Sequence, residues 1–173
     1  FQAINYNLVT KRVLMFKKLA IVVLVSTASL AMSGCVVHVG GHGNGEGHGI
    51  SSVFGGVSVD DNERVGDIDV VNGNISLGRN AVAKSVETVN GNIEIEDSSQ
   101  AYSLETVNGN IEAGQEVVIK SDVETVNGDI NFEQKANIGG NIETVNGDII
   151  LAQNSTINGN ITMQKPGGWG SSW

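Results

Sequence analysis

The tripeptide Val-Asn-Gly recurs at 71–73, 89–91, 107–109, 126–128 and 145–147, in steps of 18, 18, 19 and 19 residues. Glu-Thr precedes it at 87–88, 105–106, 124–125 and 143–144. A step of 18 back from Val71 lands on Val53, the start of a degenerate copy, and a step of 19 forward from Ile138 lands on Ile157. The repeat therefore runs from about Ile50 to Met163, and a further copy breaks off where Pro166 takes the place of Gly147. A fixed period of this length means stacked coils, not a globular sandwich. Helical stacks use longer units, and Asn-Gly beside β-branched residues opposes helix. The expected fold is all-β: a single-stranded β-solenoid (β-helix) of about six to seven coils of 18–19 residues, spaced about 4.8 Å apart. The apolar steps around a coil do not follow the six-residue beat of left-handed hexapeptide helices, so a right-handed coil is the default expectation.

Aligned coils read as columns. Ile68, Val86, Leu104, Val123, Ile142 and Ile161 form one; Val53, Val71, Val89, Val107, Val126 and Val145 form the next. Val57, Ile75, Ile93, Ile111, Ile130 and Ile149 form a third, with Val59, Leu77, Ile95, Ala113, Phe132 and Leu151 two residues on. Val82, Ile119, Ile138 and Ile157 form the last, interrupted by Gln100. These columns are the expected core, since each coil buries against its neighbours what it cannot bury alone. The Asn-Gly pair is expected to supply the turn, with Gly or Asn taking φ > 0.

Three polar columns are candidate sites. Asn72, Asn90, Asn108, Asn127 and Asn146, extended by Asn158, read as a structural ladder of stacked amides. Thr88, Thr106, Thr125 and Thr144 read either as structural or as a flat ordered surface suited to adhesion or to ice and glycan contact. Asp69, Glu87, Glu105, Glu124 and Glu143 read either as a solvated acidic face or as a stripe for a divalent cation such as Ca²⁺, or for a basic partner. Like charges directly opposite on neighbouring strands destabilise a sheet, which is why this column stands out.

The pattern [GN]-[ND]-I-E-T-V-N-G-[ND]-I resembles the adhesin-type β-solenoid domains of bacteria, families rich in V-N-G-x-I repeats. The resemblance covers Ile50 to Met163. It implies a β-solenoid fold and an envelope-surface or adhesion role. The coil length is also similar to that of bactofilins, which polymerise end to end.

The amino-terminal region reads as an address. Met15 to Lys18 are followed by an apolar run, Leu19 to Met32, and then by Ser33-Gly34-Cys35. That is a basic region, a signal-peptide-length apolar stretch and small residues at a cleavage point. The run is shorter than the roughly 20 residues a spanning helix needs. With no Met in 1–14, that stretch is expected to be an over-extended gene model, and 15–34 the signal peptide. Met32-Ser33-Gly34-Cys35 resembles the lipobox of bacterial lipoproteins, with Met32 in place of the usual Leu. The resemblance implies cleavage before Cys35 and a lipid on that residue. Val36 follows where an Asp would favour inner-membrane retention, so the outer membrane is the expected location, by lipid anchor.

Residues 35–49 are expected to form a Gly-rich tether, because such Gly density costs too much backbone entropy to fold alone. His38, His42 and His48 in it form a candidate weak metal site, though imidazoles without supporting hydrogen bonds bind metals unselectively. Residues 164–173 carry both Trp residues, Trp169 and Trp173, and read as a cap on the last coil or as an aromatic tail for a partner.

Charge and catalysis narrow the function. All 19 acidic residues follow Cys35, against six of the ten basic ones, so that part carries 6 − 19 = −13. This excludes nucleic acid as an expected partner. Residues 50–163 hold no His and no Cys, so no Ser-His-Asp triad can be drawn there. Apart from the lipid, no cofactor is expected. The expectation is a non-catalytic envelope lipoprotein whose solenoid binds a surface glycan or protein. The alternatives are a periplasmic scaffold that self-associates end to end, and a divalent-cation binder.

Overall fold

The computed structural model describes residues 37–39 and 47–164, with only the backbone of His38 and Val39. All belong to the compact unit that begins at Ser33. Among the described residues there is no helix, and 18 strands form three sheets in which every pairing is parallel. The fold is a β-solenoid with an 18–19-residue register.

The chain passes through the three sheets in turn, coil after coil. The first sheet has the longest strands: Ile50–Phe54, Ile68–Asn72, Ser85–Asn90, Ser103–Asn108, Val123–Asn127, Ile142–Asn146 and Ile161–Met163. The second is built from three-residue strands, among them Ile75–Leu77, Ile93–Ile95, Ile111–Ala113 and Ile130–Phe132. The third has two-residue strands: Gln100–Ala101, Val118–Ile119, Asn137–Ile138 and Thr156–Ile157. It continues towards Arg64 through single bridges, Arg64 to Val82 and Val82 to Gln100. Three corners join the sheets. The first holds the Asn-Gly step, the second lies near residues 78–80, and the third leads back to the first sheet. The seven strands of the first sheet span about 29 Å at the usual inter-strand spacing.

Strand alternation decides which columns face inward. In the first sheet Ile68, Val86, Leu104, Val123 and Ile142 are fully buried, and so, two residues on, are Val70, Thr88, Thr106, Thr125 and Thr144. The Val column expected in the core, Val53, Val71, Val89, Val107, Val126 and Val145, is instead half-buried on the outer side. The period of two carries the strand straight through Glu-Thr-Val, so Thr takes the inward place. In the second sheet both expected columns are buried as read, from Val57 and Val59 to Ile130 and Phe132.

In the third sheet the expected Ile119, Ile138 and Ile157 hold one column, but its earlier members lie one residue beyond the expected Val82 and Gln100. Its inward column is Val65, Ala83, Ala101, Ile119 and Ile138, with Ile157 half-buried. Val82 pairs with Gln100 and Arg64 on the outer side, so Gln100 interrupts no core column. A further buried column, Ala81, Ser99, Val117 and Ala136, had been hidden by its small residues. Volumes compensate within a coil. Ala113 shares its coil with Val117 and Ile119, whereas Ile95 shares its own with Ser99 and Ala101, all buried. Close packing at constant cross-section demands this exchange.

The pairing also begins earlier than the repeat suggested. Val37–Val39 pairs in register with Val57–Val59, and the Gly66 amide donates to the His48 carbonyl at 3.0 Å. Parts of the expected tether therefore belong to the stack, while 40–46 lie outside the described residues. Midway along the stack, the step from 18 to 19 enters at the third corner. Ile119 pairs with Ala101, but Val123 pairs with Leu104.

Candidate functional site

The Glu-Thr-Val-Asn-Gly motif can be taken letter by letter. The Thr hydroxyls are buried, and a buried hydroxyl is costly unless it is hydrogen-bonded. Each donates to a Gly carbonyl of the preceding coil: Thr88 to Gly73 at 3.1 Å, Thr106 to Gly91 at 3.1 Å, Thr125 to Gly109 at 3.1 Å and Thr144 to Gly128 at 3.0 Å. The Thr column is thus an internal clamp, and the flat-surface reading of it is corrected. The Asn residues stack outside as expected. Each amide nitrogen donates to the amide oxygen one coil earlier, Asn90 to Asn72 at 3.0 Å, Asn108 to Asn90 at 2.9 Å, Asn127 to Asn108 at 2.8 Å and Asn146 to Asn127 at 2.7 Å. Asn158 is not a sixth rung. Its backbone N–H donates to the Ile138 carbonyl at the third corner, two residues beyond the Thr156–Asn137 pair.

The Gly of the motif works by close approach, not by a special backbone angle. A Cβ at Gly91, Gly109, Gly128 or Gly147 would overlap the carbonyl oxygen of the Gly one coil below. Among the described glycines only Gly55 has a positive φ, 112°. The left-handed conformation sits at the second corner instead, at Asn62, Asn80, Ser98, Glu116, Lys135 and Asn154, with φ between 56° and 64°. Two signals were available in the sequence and went unread. Asn fills three of these six positions, and the residue after each Val-Asn-Gly is Asn or Asp. That residue forms a second ladder: Asn74, Asn92, Asn110 and Asp129 each accept, through a side-chain oxygen, the backbone N–H of the residue one coil later at 2.8–2.9 Å.

The acidic column lies on the outer face of the first sheet, in register from Asp69 through Glu87, Glu105 and Glu124 to Glu143. All five are half-buried. Burial pushes the Asp69 carboxyl above its ordinary value, and Glu87 and Asp67 beside it push the same way. Glu87 accepts from the Ser85 hydroxyl at 2.7 Å. A cation site needs several oxygens converging on one point. Among the described residues no three His, Cys, Asp or Glu side chains come together so as to hold a metal ion. His48 is exposed and has no such partners. His42 and Cys35 lie outside the described residues, as does the side chain of His38.

On the second sheet an open groove of about 240 Å³ is lined by Arg79, Glu94, Glu96, Glu112, Asn131 and Glu133 among others. Arg79 pairs with Glu96 at 3.4 Å, and Lys135 with Glu116 at 2.7 Å. The Glu116 bond raises the Lys135 pKa. Both pairs are exposed, so each contributes little to stability. Among the described residues every buried side-chain nitrogen and oxygen has a hydrogen-bond partner.

The outer surface that remains is a set of stripes running along the stack: carboxylates, then half-buried Val, then the amide ladder. No family model matches the chain, and comparison with curated proteins and with solved structures finds no match either.

Proposed function

We propose that this chain is a non-catalytic, lipid-anchored protein of the bacterial outer membrane whose β-solenoid serves as a surface or adhesion-type binding module. The observation that carries the reading is the first sheet's outer face. Its Glu, Val and Asn columns hold one register over successive coils, giving a rigid, repetitive surface of mixed charge, apolar and amide chemistry. Such a surface suits an extended partner, a glycan or another protein, better than a small molecule, which takes a concave and largely apolar site. The non-catalytic part is supported by where the polar groups go. Thr hydroxyls, Asn amides and corner carboxylates are engaged coil to coil. The envelope location rests on Met32-Ser33-Gly34-Cys35 and its likeness to a lipobox, on residues outside those described.

The test is protease accessibility of the tagged protein in intact and in permeabilised cells. The reading expects cleavage in intact cells. Protection until permeabilisation would place the solenoid in the periplasm and overturn the adhesion role in favour of a scaffold.

A further inference from the structure

Among the described residues no coil follows Ile161–Met163 at the carboxyl-terminal end of the stack. Ile130, Phe132, Ile138, Ile142 and Thr144 are fully buried. One coil later, Ile149, Leu151 and Ile157 are only half-buried, and Ile161 and Met163 are 48% and 53% exposed. The inward columns thus continue to the final coil and end in a contiguous apolar face. The final strands Ile149–Leu151, Thr156–Ile157 and Ile161–Met163 each pair on one side only. An open edge with an apolar interior invites association with whatever strand or chain is near.

We propose that residues 165–173 of this same chain fold back over that face, with the indoles of Trp169 and Trp173 lying on Leu151, Ile157, Ile161 and Met163. Three observations select this occupant. The segment starts at the face itself, since the backbone N–H of Gln164 still donates to the backbone carbonyl of Thr144 at 3.0 Å. Its length suffices: nine residues reach up to about 30 Å, more than the width of a coil whose sides are strands of a few residues. Its composition fits, as Pro166-Gly167-Gly168 can turn the chain and lacks one ladder donor at the Pro, while the two Trp are the only ones in the chain. A second copy is the weaker candidate. It must bring together two bodies whose residues after Cys35 each carry −13, whereas a tethered segment acts at an effective concentration of about millimolar. The cap would keep the solenoid from stacking end to end.

Because both Trp residues lie in this segment, indole fluorescence of the full chain reports on it directly. The expected result is blue-shifted emission and several-fold weaker collisional quenching than in the urea-unfolded chain, unchanged on dilution. Ile161→Asp, at an already exposed position, is expected to red-shift the emission and restore quenching without loss of the β-sheet circular dichroism signal. Solvent-exposed indoles in the unmodified chain would overturn the proposal. So would shielding that fades on dilution, which would identify a second copy, or shielding indifferent to Ile161→Asp, which would place the indoles elsewhere, such as in lipid or detergent.

Discussion

The first and second corners of a coil both carry the chain from one sheet to the next, and they have opposite sequence habits. At the first corner Gly55, Gly73, Gly91, Gly109, Gly128 and Gly147 stand in one column without exception. At the second, the left-handed position is filled by Asn62, Asn80, Ser98, Glu116, Lys135 and Asn154. The first corner needs three atom-level fits between coils at once: a missing Cβ, a Thr hydroxyl on a Gly carbonyl, and an amide-to-amide bond. The left-handed position of the second asks for a backbone conformation, which non-Gly residues adopt at a cost of roughly 1–2 kcal/mol, and its coil-to-coil side-chain bonds change chemistry along the stack, from Asn80 on Asn62 to Lys135 on Glu116. A repeat keeps its letters where neighbouring coils touch through them and relaxes where a moderate local penalty suffices.

The largest effect that would break this contrast lies at Gly109. Gly109→Ala sets a Cβ against the Gly91 carbonyl, and overpacking of this kind costs about 3 kcal/mol or more when the clash is with backbone. Urea unfolding measures it, and a near-neutral Gly109→Ala would mean that the first corner is as tolerant as the second. Asn108→Ala removes two rungs, from Asn127 and to Asn90. At about 0.5–1.5 kcal/mol per net hydrogen bond, and with these rungs exposed, the expected loss is about 1 kcal/mol in the same assay.

At the second corner the sign reverses. Glu116→Asn puts a residue tolerant of φ > 0 at a φ of 60°, and is expected to stabilise by up to about 1 kcal/mol. The lost Lys135 pair offsets only a few tenths of that, being exposed. Thermal melts of the variant should shift upward.

The smallest effect concerns the outward Glu column that accompanies the first corner. The Asp69 carboxyl titrates above its ordinary 3.8 in the fold, by burial first and then by Glu87 and Asp67. A raised folded-state value means that the native state binds this proton more tightly than the unfolded chain. Stability therefore rises as pH falls from neutral through the folded pKa, and that gain is complete below 3.8. Asp69→Asn should flatten this part of the profile, and a pH–melting curve identical in the two proteins would contradict the assignment.

These contrasts also explain what could be read in the chain. The 18–19 period and the two inward columns of the second sheet were legible because Ile, Val, Leu and Phe mark them. The amide ladder was legible because Asn recurs in register. The inward Thr was not, because a polar residue between a Glu column and a Val column reads as surface until its hydroxyl finds the Gly91 carbonyl. Ala81 and Ala83 were missed because small core residues carry little hydrophobic signal, and they are legible only through their large coil-mates such as Leu77. The left-handed corner was missed because Glu116 and Lys135 are poor markers of φ > 0. The resemblance that suggested an envelope role rests on the motif's letters, and those letters hold the stack together. The chemistry left for a partner is the exposed part of the stripes.

The central claim is that the motif's Thr faces the core and its Val faces out. Parallel urea unfolding of Thr106→Val and Val107→Thr tests it most directly. Thr106→Val keeps the shape but removes the donor to Gly91, and should cost about 1–3 kcal/mol because a buried acceptor loses its partner. Val107→Thr places a hydroxyl on a half-buried outer position and should change stability by no more than about 0.5 kcal/mol. The reverse order, with Val107→Thr the more damaging, would put the Val column in the core and contradict the account.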